Sequence, residues 1–232
     1  MKIYLQKLYR RPAFWLAILA AILYCSWPLA YVLNPAVGRH ALASQLETSG
    51  QPFNWVFIGG DVLTGVVLAI AILLQMRAVW QAGRAVRWSA IGYLLFGLLA
   101  ATAAIVPLNC DPQAGTCGVL WRDPYIIVHG AASIVSVIAL LVSVAVLGIM
   151  AYRRRASRAA RYTLGAVLAG WLLFGIGSVV EFLLHVTGNA MQDYFITLCS
   201  ISVVVVIGAL EYMHLTKKAG WPMPSQERQL QT

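Results

Sequence analysis

Charge is what this chain has least of. Only 11% of its 232 residues are charged and eight are acids, against 60% hydrophobic. A water-soluble fold of that length carries about a quarter charged side chains. With a mean hydropathy of +0.76, the shortage excludes a soluble domain. Cysteine is scarce as well. There are four, none in a C-x-x-C pair, so the dithiol redox motif is absent.

What the chain has instead is long apolar runs. A helix crosses an apolar slab of ~30 Å in about 20 residues, and lipid offers the backbone no hydrogen-bond partners, so the spans should be helical. Six are expected, at about 13–33, 54–75, 88–107, 124–150, 162–185 and 192–215. The first follows Lys2, Lys7, Arg10 and Arg11, as a signal peptide would. It is longer than the usual h-region and lacks a small-x-small cleavage site, so it reads as a retained anchor. Pro28 should kink it near Trp27.

The net charge of +9 invites a nucleic-acid partner, but its distribution refuses one. Fifteen of the seventeen Lys and Arg fall at the N-terminus, in segments 75–88 and 151–162, or after the last span. Only Arg39 and Arg122 fall on the other side. This is the positive-inside bias, and the basic clusters serve topology and anionic headgroups. The expected fold class is all-α: a polytopic protein of the cytoplasmic (inner) membrane, six transmembrane helices in one bundle, both termini cytoplasmic. Residues 1–12 form a cytoplasmic segment, 13–215 the membrane domain, and 216–232 a disordered cytoplasmic tail. The partners implied are membrane lipids.

Segment 107–133 is the least greasy stretch, with Cys110, Cys117, Asp111, Asp123 and His129 between two apolar runs. An outer location is oxidising, which favours a Cys110–Cys117 disulfide. Ionisable groups inside spans are costly and default to function. At 1.5 Å per residue, Asp61, His129 and the Glu181/His185 pair all lie roughly 6–10 Å below the outer surface. His129 and Ser133 are one turn apart on one helix face, as are Glu181 and His185. If these faces converge, they form an outward-opening polar pocket of Asp61, Asp111, His129, Ser133, Glu181 and His185. Such a pocket could bind a ligand. Asp61, His129 and His185 would suit a borderline metal such as zinc with one position open, and Glu181, His129 and Ser133 are the candidate catalytic groups. The structural alternative is that these groups satisfy one another and fix helix packing. Glu211, His214, Lys217 and Lys218 close the last span and read as structural. The motif GYLLFG at 92–97 recurs as GWLLFG at 170–175, which a duplicated hairpin or a restricted apolar alphabet explains.

Several stretches resemble a family of bacterial six-helix membrane proteins of unknown function, grouped distantly with the eukaryotic Frag/DRAM/Sfk-type membrane proteins. They are Ser44-Gln45-Leu46, Gly50-Gln51-Pro52 and Asn54, leading into Gly60-Asp61 and Gly65. The likeness continues in Pro107-Leu108-Asn109-Cys110-Asp111-Pro112, Cys117, and His129 with Ser133. The resemblance implies the architecture and an outer-face focus, and by analogy a lipid ligand. A looser likeness is to the alkaline-ceramidase and adiponectin-receptor type of membrane hydrolase, which uses seven helices and an H-x-x-x-H pair. Here there are six, with Glu181-x-x-x-His185. Three functions therefore stand: binding of a lipid or small amphiphile, metal-assisted hydrolysis of a lipid ester or amide, and an accessory subunit of a membrane complex. A transporter would need a pair of broken helices at mid-membrane, which the sequence does not announce.

Overall fold

The structure is a computed structural model, all-helical, that describes residues 11–35, 43–108, 110, 123–153, 156–184 and 190–218. In chain order the helices are α1 (Pro12–Tyr24), α2 (Ala30–Leu33), α3 (Ala43–Leu46), α4 (Asn54–Ala82), α5 (Arg84–Ile105), α6 (Pro124–Arg153), α7 (Arg158–Leu184) and α8 (Ala190–Lys218), with a 3-10 turn at Trp27–Leu29. Six segments are long and apolar enough to cross a membrane: Pro12–Leu33, Asn54–Ala82, Arg84–Ile105, Pro124–Arg153, Arg158–Glu181 and Asp193–Tyr212. The expected count of six stands.

Their ends differ from those expected. The basic stretch 75–88, expected as a loop, is almost wholly helical, and the chain turns between α4 and α5 at Gly83 alone, with φ of 106°. Arginine is a good helix former, so a helix that leaves the apolar slab has no reason to stop at the first one. The 29 residues of α4 would extend about 43 Å at 1.5 Å each, well past the hydrocarbon.

The first span differs more. It does not merely bend at Pro28; it ends at Tyr24 and restarts at Ala30 after the 3-10 turn. Pro28 has no N–H to give the Tyr24 carbonyl four residues earlier, and its ring crowds that carbonyl. The break is one proline wide.

One apolar cluster holds residues of all six spans, with Leu68, Tyr93, Phe96, Leu140, Val203 and Ile207 at its centre. Helix α8 packs against α1, α4, α5, α6 and α7. Small residues set the close approaches. A Cβ on Gly65 would lie 2.5 Å from the Gly97 carbonyl oxygen, so α4 and α5 meet backbone to backbone; Gly92 lets α5 meet Ser143 and Ala139 of α6 in the same way. Hydroxyls then tie the helices. Ser89 donates to the Ser143 carbonyl at 3.1 Å, and Ser143 lies 2.9 Å from the Ser89 carbonyl. The aromatic residue of each repeated motif reaches α8, Tyr93 to the Val203 carbonyl at 3.2 Å and Trp171 to the Ser202 hydroxyl at 3.1 Å. Arg11 and Glu211 join the start of α1 to α8 at 3.7 Å. Helix α7 shows most of its apolar surface outward, including Leu172, Leu173, Ile176, Val179 and Leu183.

The contrast between two glycines on α4 gives a test. A Cβ on Gly59 meets nothing within 4 Å. Gly65→Ala should lower stability by about 1–3 kcal/mol, and Gly59→Ala should change it little, in thermal unfolding of the detergent-solubilised protein. Equal effects would contradict the close α4–α5 contact.

Candidate functional site

Where α1 breaks, its neighbours leave a cavity of about 320 Å³. Tyr24, Ser26 and Trp27 come to it from the break, Phe57 and Asp61 from α4, Ala100 and Ala103 from α5. Helix α6 contributes His129, Gly130, Ser133 and Ser136, and α8 contributes Phe195 and Ile196. Of the residues singled out from spacing, Asp61, His129 and Ser133 line this one cavity. Glu181 is half-buried on α7 and does not line it. Depth along a helix can be read from sequence; the direction its face points cannot. Asp111, Cys117 and His185 lie outside the described residues, and with them the Cys110–Cys117 pairing and the third proposed metal ligand. Among the described residues no group of three or more His, Cys, Asp or Glu side chains is placed to hold a metal ion. Cys25 and Cys199 are free thiols, and Cys199 sits in the core beside the Tyr24 hydroxyl.

The roof of the cavity is the segment after α2, expected as an outer polar loop. Its residues 44–48 instead turn inward. Gln45, Leu46, Glu47 and Thr48 are all buried. Backbone bonds from Thr48 to Gln45 and from Gln51 to Thr48 coil the segment tightly, and Asn34 donates to the Gln51 side chain at 3.1 Å. The amide of Asn54, at the start of α4, reaches the Thr48 carbonyl at 3.5 Å. The coil carries Ser44 and Glu47 to the cavity wall. Glu47 is the residue that sequence reasoning missed. Its signal was present, an acid directly after Leu46 in a chain with eight acids, but a loop has no periodicity to say which way a side chain points.

His129 is fixed from behind. It is 7% exposed, and its Nδ1 lies 2.9 Å from the Ala103 carbonyl and 3.2 Å from the Val106 carbonyl. Both belong to the last turn of α5, whose final carbonyls have no helical donor. Carbonyls only accept, so Nδ1 carries the proton and Nε2 of the neutral ring is left as an acceptor. Ser133 lies one turn further along, its carbonyl accepting from Ser136 at 2.7 Å.

The acidic side is less settled. Glu47 is 6% exposed, and neither it nor Asp61 makes a hydrogen bond or ion pair among the described residues. Burial pushes the Glu47 carboxyl up to about 8 from an ordinary 4.5. The indole N–H of Trp27 is likewise buried with no partner among the described residues. Chemically, the described residues offer the cavity two acidic groups, a histidine, hydroxyls and aromatic side chains, and no Lys or Arg.

The family described as "Protein of unknown function (DUF998)" matches residues 15–215, and the chain belongs to it. The match agrees with the resemblance to a membrane family of unknown function; the wider Frag/DRAM/Sfk grouping is no part of it. No curated protein and no solved structure matches the chain.

A raised carboxyl has a signed effect on stability. Between pH 4.5 and about 8 the folded state holds a proton on Glu47 that the unfolded state has lost, so stability falls as pH rises and levels off above that range. The midpoint of thermal unfolding should drop across it, and Glu47→Gln should flatten the slope. An unchanged slope in the variant would show that Glu47 is not buried as described.

Proposed function

We propose that this family member is a multi-pass protein of the cytoplasmic membrane, termini on the cytoplasmic side, whose cavity takes up a lipid or small amphiphile without turning it over. The observation that carries the reading is the make-up of the cavity, with aromatic and aliphatic walls and a few convergent polar groups at about 320 Å³. Small-molecule sites have that character and run from ~300 to ~1,000 Å³. The bias of Lys and Arg toward the opposite end of the spans supports placing the cavity in the outer leaflet. On that side a Cys110–Cys117 disulfide would pin the connection into α6. Glu47 and Asp61, without a hydrogen bond or ion pair among the described residues, support function over packing, since an unpaired carboxyl inside a helix bundle costs free energy.

The metal-assisted hydrolase stands second, on one observation: His129 presents Nε2 with its other nitrogen held by carbonyls, as a metal-ligating histidine is held. Its proposed general base, Glu181, is not at the cavity. The accessory-subunit reading has no residue that favours it over these two.

Lipids co-purifying with the protein in mild detergent, identified by mass spectrometry, test the choice. One lipid class should be enriched well above its share of the parent membrane. Ser133→Leu, which fills the cavity, should abolish that enrichment without lowering the melting temperature. A lipid profile equal to the bulk membrane would overturn the reading. Near-stoichiometric zinc, lost in both Asp61→Ala and His129→Ala, would put the hydrolase in its place.

A further inference from the structure

We infer that the ligand carries an organic ammonium group, seated between Glu47 and Asp61 against the aromatic wall of the cavity. This rests on the reading that the cavity binds a ligand at all, and it names the ligand's charge and chemistry.

Four observations lead there. The two carboxyls face one cavity from different elements, the coiled roof and α4, and neither has a partner among the described residues. Among the described residues no Lys or Arg lines the cavity to neutralise them. A buried, unpaired acid is expensive, and a cation placed beside it removes the cost. The second observation is aromatic. Tyr24, Trp27, Phe57 and Phe195 line the same cavity as the acids, and carboxylates among aromatic rings are what an ammonium or quaternary ammonium group selects. A hard metal ion would instead want about six oxygen ligands, which rings cannot give. The third is the Trp27 indole N–H, buried at the cavity without a partner among the described residues. It is independent of the acids and asks for an acceptor, such as an oxygen carried near the ammonium in an amino-alcohol headgroup. The fourth concerns access. Ser133 and Ser136 leave α6 small where it faces the acids, so room remains beside them.

The proton on Glu47 gives the site a pH dependence. Among the described residues, the titratable groups that line the cavity with Glu47 are Asp61 on α4, Tyr24 on α1 and His129 on α6; α5 and α8 line it with Ala100, Ala103, Phe195 and Ile196. A cation that enters must displace the proton that burial retains up to about 8. Affinity for a permanently charged ligand should therefore rise with pH through that range.

The test is titration of the full-length protein in maltoside detergent with octyltrimethylammonium, octanol and choline. Octyltrimethylammonium should bind at least about tenfold more tightly than octanol. Glu47→Gln and Asp61→Asn, which mimic the neutral acids and should fold, should each weaken the ammonium by about tenfold and leave octanol unchanged. Choline competing as well as the octyl compound would identify a free amino alcohol as the source, and choline far weaker would identify a lipid headgroup; both keep the ammonium site. Equal binding of octanol and octyltrimethylammonium would overturn the inference and leave the amphiphile reading standing. Binding of neither would remove both. Zinc or calcium binding more tightly than the ammonium, with the same loss in the two variants, would assign the carboxyls to a metal and overturn the proposal.

Discussion

The fold depends on side-chain donors finding backbone carbonyls on neighbouring helices. Tyr93 reaches Val203, Tyr194 reaches Gly170, Ser89 and Ser143 exchange, and His129 closes the end of α5. In each case a hydroxyl or imidazole from one helix meets a carbonyl of the next. A hydrocarbon surrounding supplies no water to compete, and apolar faces gain little by leaving lipid for one another. Directional bonds and close backbone contact must then do what hydrophobic burial does in water. Glycines at 65, 92 and 97 bring the backbones near enough for such short donors to reach.

The same requirement explains where the cavity lies. Pro28 withholds one donor and ends α1 at Tyr24, so the carbonyl there is left without its helical partner at the depth where α4 carries Asp61. Irregular backbone is tolerated at membrane depth only where protein or a cavity surrounds it. The coiled roof covers the gap, and its own backbone bonds are made locally and to Asn34 and Asn54. Break, roof and cavity thus form one solution to one missing hydrogen.

Much of this was legible in the residues. Hydropathy alone gives six spans, because a slab thickness fixes a minimum run. It cannot give their ends, since the arginines at 77, 84 and 87 are as content in a helix as outside one. The i,i+4 pairing of His129 with Ser133 and the depth of Asp61 singled out residues that α6 and α4 bring to one cavity. Glu181 shared their depth and not their direction, because α7 turns its face elsewhere. Glu47 was hidden for the opposite reason, lying in a segment whose polarity looked like exposure. Sequence polarity reports what a side chain can tolerate, and a coil that folds inward uses that tolerance to bring an acid indoors.

The inward coil also bears on the order of events during synthesis. The wall that Glu47 meets is built by α1, α4 and α6, and α6 leaves the ribosome some eighty residues after Glu47 itself. The roof therefore cannot find its seat as it emerges. The seat of Glu47 is thus a long-range contact, completed only when helices far along the chain are in place.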